Sequence, residues 1–419
     1  MSPAKRPQYT IEELHRDAVM AKGDRCPIMP TYGAPVVQFL RGEGAYLWDS
    51  QGRKHLDFLS GLAVASLGHS HPTVTAAIAA QAERLLHVSN LYATEHSGEV
   101  ADLLDTLIGD GTPAGGQSFF CNSGAEANEA AIKLARRFGG HGRSTVISAY
   151  NSFHGRTLAT LAATGQPQKW EGYAPLPEGF KHVVWGDLTE LESTIDDTTA
   201  AILVEPVQGE GGVNPATVEY FQGIRALCDE HNILFMVDEV QTGLARTGRW
   251  FGFQHFDVVP DVITMAKALG NGVPVGCCWA KADVASSFKP GDHATTFGGQ
   301  PLATAAAKAV LETMMAIDAP ALATSSGSML VDKLQALDSV VEVRGLGMLL
   351  AAELTEPIAR AVAAECLEQG LVVNAVTETA LRFAPPLIVS ERDINLAITL
   401  LKKSIAIVDA SNAESEGKK

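Results

Sequence analysis

Long apolar runs are missing from this chain. Its hydrophobic stretches are short and interrupted by polar residues, so no membrane span is expected. The opening "MSPAKRPQYTIEELHRD" has no apolar signal core, which speaks against secretion. Basic charge is scarce too: 32 Lys and Arg stand against 48 Asp and Glu, for a formal net charge of −16. Non-specific binding to nucleic acid or to an anionic membrane is therefore disfavoured, while local basic sites for anionic substrates remain open. The six cysteines show no C-x-x-C spacing, and Cys277 and Cys278 are adjacent. Reduced thiols in a cytoplasmic protein are expected. A metal is not: His69 and His71 in "LGHSHP" precede a proline and lack a third partner.

What is present is globular. Hydrophobic residues make up 46% and charged residues 19% of 419 positions, a length too great for one simple core. Strand-like runs recur at "QSFFC", "STVISAY", "AAILVEP", "ILFMVDE", "DVITMA" and "GCCWA", with helix-like segments among several of them. After "QSFFC", Ala127, Ala130, Ala131, Leu134, Ala135 and Phe138 follow the spacing of one helix face. The alternation predicts an α/β large domain with a mostly parallel, buried sheet over residues 66–305. "PLATAAAKAVLETMMAI" reads as a long helix. It leads into a smaller α+β unit at 306–410, with strand candidates "VVEVRGLGMLLAAEL", "GLVVNAV" and "ALRFAPPL". Residues 1–65 contain "GAYLWDSQGRKHLDFLSG" and read as hairpin strands packing with that unit, so both chain ends form the small domain. The tail 411–419 reads as disordered.

In an open α/β sheet, ligands bind outside the carboxyl ends of the strands. "QSFFC" runs into "NSGAEANEAA", where Ser123 and Glu126 have capping-box spacing and Gly124 lets the backbone come close to a ligand. This is either an ordinary capped helix or a phosphate cradle made of free N–H groups. It has no Walker lysine and no G-x-G-x-x-G, so such a phosphate would not belong to a simple nucleotide. "ILFMV" ends in Asp238, a carboxylate that is costly to bury unless paired. It is a cap or salt bridge, or else the partner of a ring N–H⁺. "DVITMA" ends in Lys267, which either snorkels to water or holds an amine desolvated enough to react with carbonyls. Taken together, cradle, carboxylate and lysine point to pyridoxal 5′-phosphate (PLP). That cofactor needs an amine for its aldehyde, an acid for its pyridine nitrogen and an anchor for its phosphate.

The motifs "GHSHP", "SNLYATE", "FFCNSGAEANEAA", "FHGRT", "EPVQGEGG", "LFMVDEVQTG", "DVITMAKALGNG", "TFGGQP" and "RFAPP" stand in this order along nearly the whole chain. In that combination the sequence resembles the class III PLP-dependent aminotransferases, of fold type I. The resemblance implies that Lys267 binds the cofactor covalently and shuttles the proton. It gives Gly124 and Ala125, beside Ser123, to the phosphate. Phe153 and Val240 would pack on the two faces of the ring, Asp238 would pair with its nitrogen, and Gln241 would lie near its hydroxyl. Thr296 would reach the phosphate in the neighbouring subunit, which implies a homodimer with shared active sites. Substrate contacts fall to Arg156, Thr295, Tyr32 and Arg382. Arg382 would pair with Glu205 while a δ-amine is bound and be freed for the second carboxylate of a 2-oxo diacid. Gln300 departs from the family's usual asparagine and puts the geometry of the dimer loop in question.

The activity so implied is transfer of the δ-amino group of N2-acetyl-L-ornithine to 2-oxoglutarate, in a ping-pong reaction serving arginine biosynthesis. Ornithine, 4-aminobutyrate, succinylornithine and succinyldiaminopimelate stay open as donors. Leu62 bears on the choice, because ornithine-using members tend to carry tyrosine there.

Overall fold

The structure, a computed structural model, describes residues 29, 31–32 and 35–416. Residues 1–28, within the expected N-terminal segment, and 417–419, within the expected tail, lie outside the described residues. Each of the six apolar runs forms a strand of one seven-stranded sheet. Its order is Gly116–Cys121, Gly276–Lys281, Val262–Met265, Leu234–Asp238, Thr199–Val204, Thr145–Ala149 and Phe180–Val183. The pairs from Val262–Met265 through Phe180–Val183 are parallel, and Gly276–Lys281 runs antiparallel to both its neighbours. The central strands are buried along their whole length, which is why they read as continuous apolar runs rather than alternations.

Alternate side chains of these strands enter different cores. Leu234 and Met236 join Ala130, Ala131, Leu134 and Ala135 of the helix Gly124–Gly139, whereas Phe235 and Val237 join Phe221 and Ile224 of the helix Val218–His231. Phe138 departs from the expected buried stripe. It lies in the last turn before Gly140 ends the helix, and 36% of it is exposed.

The two chain ends meet. The antiparallel strands Phe39–Glu43, Tyr46–Asp49 and Lys54–Asp57 are extended by Leu371–Val372, parallel to Lys54–Asp57. "GLVVNAV" is thus split at Val373. Its second piece, Asn374–Ala375, pairs in another antiparallel sheet with Val340–Leu346, Leu349–Leu354 and Ala380–Phe383. One apolar run serves two sheets, which periodicity cannot reveal. The predicted long helix is Pro301–Ala316. The last helix, Glu391–Glu416, continues into the stretch expected to be disordered. No helix among the described residues is long and apolar enough to cross a membrane.

Candidate active site

At the carboxyl ends of the strands lies a cavity of about 400 Å³, lined among others by Gly124, Phe153, Arg156, Asp238, Val240 and Lys267. The strand Gly116–Cys121 delivers the helix Gly124–Gly139 to its rim. Ser123 caps that helix, its Oγ accepting from Glu126 N at 3.2 Å. Glu126 returns not to Ser123 but to Asn122, accepting from its N and its Nδ2 at 2.5 and 2.9 Å. The first N–H groups of the helix have no intrahelical acceptor, and Gly124 and Ala125 both line the cavity. Free N–H groups at the positive end of a helix dipole can hold an anion. Glycine is needed at the helix start, because a Cβ on Gly124 would lie 2.8 Å from both Val240 methyls.

Asp238 and Lys267 come together because their strands are neighbours. Asp238 stands in register with Thr264, three residues before Lys267. The Asp238 carboxylate is buried and accepts three hydrogen bonds. Asn128 Nδ2 at 2.7 Å and His154 Nδ1 at 2.9 Å hold Oδ2, and Val240 N at 3.0 Å holds Oδ1. Lys267 has φ +41°, a left-handed conformation that costs a non-glycine residue about 1–2 kcal/mol and is typical of functional sites. Burial pushes its amine down to about 8, and the Glu210 carboxylate opposes part of that fall. A partly neutral amine at neutral pH is a nucleophile towards carbonyls.

Two arginines of different status complete the site. Arg156 is exposed at the mouth, 5.5 Å from the Phe153 ring centroid, with no carboxylate partner among the described residues. Arg382 is only 1% exposed and tightly held. Its Nη1 donates to Glu210 Oε1 at 2.6 Å, Gln241 Oε1 at 3.1 Å and Gly209 O at 3.3 Å, and its Nε to Asn374 Oδ1 at 3.2 Å. The expected Arg382–Glu205 pair is therefore corrected to Arg382–Glu210. The hairpin Val207–Gln208/Asn214–Pro215 carries Glu210 on its turn and presents it to Arg382. Glu205 follows the strand Thr199–Val204 directly and stays buried, accepting from Phe153 N at 3.1 Å. Burial, with Asp238 close by, raises its carboxyl well above the usual range.

Thr295 and Thr296 lie outside this cavity. They line a second one of about 390 Å³ with Asn122 and His293, where Asn122 Nδ2 donates to Thr295 Oγ1 at 3.1 Å. Tyr32 is 90% exposed and lines neither cavity. Gln300, the departure from family usage, joins two loops: its Oε1 accepts from Val88 N at 3.1 Å and its Nε2 donates to Asn90 Oδ1 at 3.2 Å. Sequence reasoning missed Glu210, Asn128 and His154. Asn128 did leave a signal, as a polar residue on a stripe with Gly124, Ala131 and Ala135.

Among known families, "Aminotransferase class-III" matches residues 29–405. The chain belongs to the class-III aminotransferases. The acetylornithine aminotransferase of Gloeobacter violaceus is 48% identical over 384 residues, 90% of this chain and 94% of that protein. The N-acetylornithine aminotransferase of Stenotrophomonas maltophilia superposes with a TM-score of 0.78 at 33% identity, covering 91% of this chain and 98% of that one. The ornithine aminotransferase of Toxoplasma gondii, described with partial occupancy of PLP at its active site, gives 0.87 at 32% identity, covering 98% of this chain and 100% of that one. Membership makes this chain an amino-group-transferring enzyme of the α/β fold that its sheet order already displays.

Proposed function

We propose that the chain transfers the δ-amino group of N2-acetyl-L-ornithine to 2-oxoglutarate, yielding N-acetylglutamate 5-semialdehyde and glutamate, with PLP as cofactor. The residues of the cavity fit that cofactor. The Gly124–Ala125 cradle suits a phosphate, Phe153 and Val240 offer flanking faces for a flat ring, and the buried Asp238 carboxylate suits a protonated ring nitrogen. When bound, PLP supplies an electrophilic carbonyl and, through its protonated ring, a sink for the electron pair left on the substrate carbon. Lys267 Nζ then takes the proton from the amine-bearing carbon of the donor. The Asp238 carboxylate keeps the ring proton in place. Arg156 clamps the carboxylate that both substrates share. Arg382 stays neutralised by Glu210 while the monocarboxylate donor is bound, then turns to the second carboxylate of 2-oxoglutarate.

One observation carries this reading: a single cavity is lined by Arg156, which has no carboxylate partner among the described residues, and by Glu210, which is paired with the buried Arg382 behind it. A site serving one substrate with one carboxylate and a second with two needs both arginines, since neither state then leaves a buried charge unpaired. The choice of acetylornithine is supported by its relatives and by Leu62. A homodimer is supported by the position of Thr296 outside its own cavity and by the exposed Leu91, Tyr92 and Phe297, at 84%, 70% and 63%. The test is a donor panel of acetylated, succinylated and free ornithine, 4-aminobutyrate and succinyldiaminopimelate with 2-oxoglutarate. Acetylornithine should have the highest kcat/KM; a preference for free ornithine would overturn the assignment.

A further inference from the structure

His154 is enclosed, with no exposed side-chain surface, and its ring makes one hydrogen bond, from Nδ1 to Asp238 Oδ2 at 2.9 Å. Its Nε2 is buried without a partner among the described residues. The neighbouring Asn128 is 1% exposed and fully committed. Its Nδ2 donates to Asp238 Oδ2 at 2.7 Å and to His154 O at 2.8 Å, and its Oδ1 accepts from Thr264 Oγ1 at 2.7 Å. The amide cannot be reversed, because that would set its oxygen against a carbonyl and a carboxylate, both acceptors only. The imidazole is constrained in the same way. Asp238 Oδ2 accepts here, so a proton belongs on Nδ1.

Two N–H groups therefore hold Oδ2, while Oδ1 takes one, from Val240 N at 3.0 Å. Oδ1 keeps a free lone pair in a residue that lines the cavity. We infer that His154 and Asn128 are positioning residues that lock Asp238 Oδ2, so that Oδ1 is aimed at the ring N–H⁺ of the cofactor. This rests on the cofactor reading above. Neither residue touches the reacting atoms. Both act by fixing the rotamer of the one carboxylate that does.

The test begins without cofactor. Protein carrying ¹⁵N-histidine is examined in its apo form by long-range ¹H–¹⁵N spectra. The His154 signal is assigned by its absence from His154→Asn or, where that variant does not fold, from His154→Gln. A ring protonated at Nδ1 is expected, and protonation at Nε2 with a bare Nδ1 would overturn the inference. Kinetics of the PLP-loaded enzyme follow. His154→Phe removes one hydrogen bond to a charged group, so kcat should fall about 10–100-fold while KM for either substrate moves less than about 3-fold. PLP affinity, measured by equilibrium dialysis, should weaken in parallel. His154→Asn sets an amide N–H near the Nδ1 position and should recover most of the loss. An Asn variant as impaired as the Phe variant, or a Phe variant like wild type, would refute the positioning role. Wild-type protein that shows the Nδ1–H ring but binds no PLP would instead overturn the cofactor reading, so the two failures are distinguishable.

Discussion

Glu210→Gln keeps the shape of the residue beside Arg382 and removes its charge. In the proposed reaction a second substrate carboxylate that takes Arg382 Nη1 must displace a carboxylate held at 2.6 Å. A hydrogen bond to a charged group contributes about 1.5–3 kcal/mol. The Glu210 side chain is 32% exposed, so solvent screening places the value in the lower half of that range. With that competitor neutralised, a dicarboxylate should bind tighter by about 10–40-fold. A monocarboxylate donor gains nothing and meets a buried guanidinium without its counter-charge. Glu210 also holds the Lys267 amine up, so the variant should bring that amine below its native value of about 8. The assay is competition by glutarate, an unreactive diacid, against both substrates, together with KM for 2-oxoglutarate and for acetylornithine. Tighter glutarate and a lower KM for 2-oxoglutarate alone are expected. Equal shifts for both substrates, or no change for glutarate, would show that Glu210 does not gate Arg382.

Borohydride reduction of the PLP-loaded protein should leave the cofactor mass on the peptide containing Lys267, and an adduct on another lysine would sink the assignment. In the apoprotein, acylation of Lys267 requires the neutral amine, so it is lost as pH falls and gained as pH rises through about 8. A labelling midpoint near that of free lysine would contradict the effect of burial. Asp238→Asn must keep a carbonyl oxygen facing the two donors at Oδ2, which turns its NH₂ towards Val240 N–H and the cavity. Turnover should drop by about 10²–10³-fold, as for lost preorganised charges elsewhere, and a variant within a few-fold of wild type would mean another partner for the ring nitrogen. Arg156→Ala should weaken acetylornithine and 2-oxoglutarate alike, by about 2–5 kcal/mol each, and a selective effect on one would contradict a shared clamp. Gly124→Ala forces a methyl against Val240 and should cost about 1–3 kcal/mol of stability together with PLP affinity, measured by thermal melting with and without cofactor.

Much of the sheet and half of the site were legible in the sequence alone, for a physical reason. Strands buried on both faces must be apolar throughout, so Leu234–Asp238 and Val262–Met265 announce themselves, and the polar residues that end such runs face the ligand side. That argument reaches Asp238, Lys267 and the glycine entrance at Gly124 with no tertiary information. The split of "GLVVNAV" between two sheets and the helix running to Glu416 lay beyond it, because strand partners and packing against distant elements decide them. The same holds for the charge pairs. Arg382 meets Glu210 across 172 positions, and "EPVQGEGG" offers two glutamates of equal local standing. Only the hairpin that follows Glu205 turns one towards the arginine and leaves the other inside. Likewise, nothing local to Asn128 or His154 names Asp238, which lies 110 and 84 positions away. A chain's pattern of burial is written locally, but which buried polar group satisfies which is settled only when the folded surfaces meet.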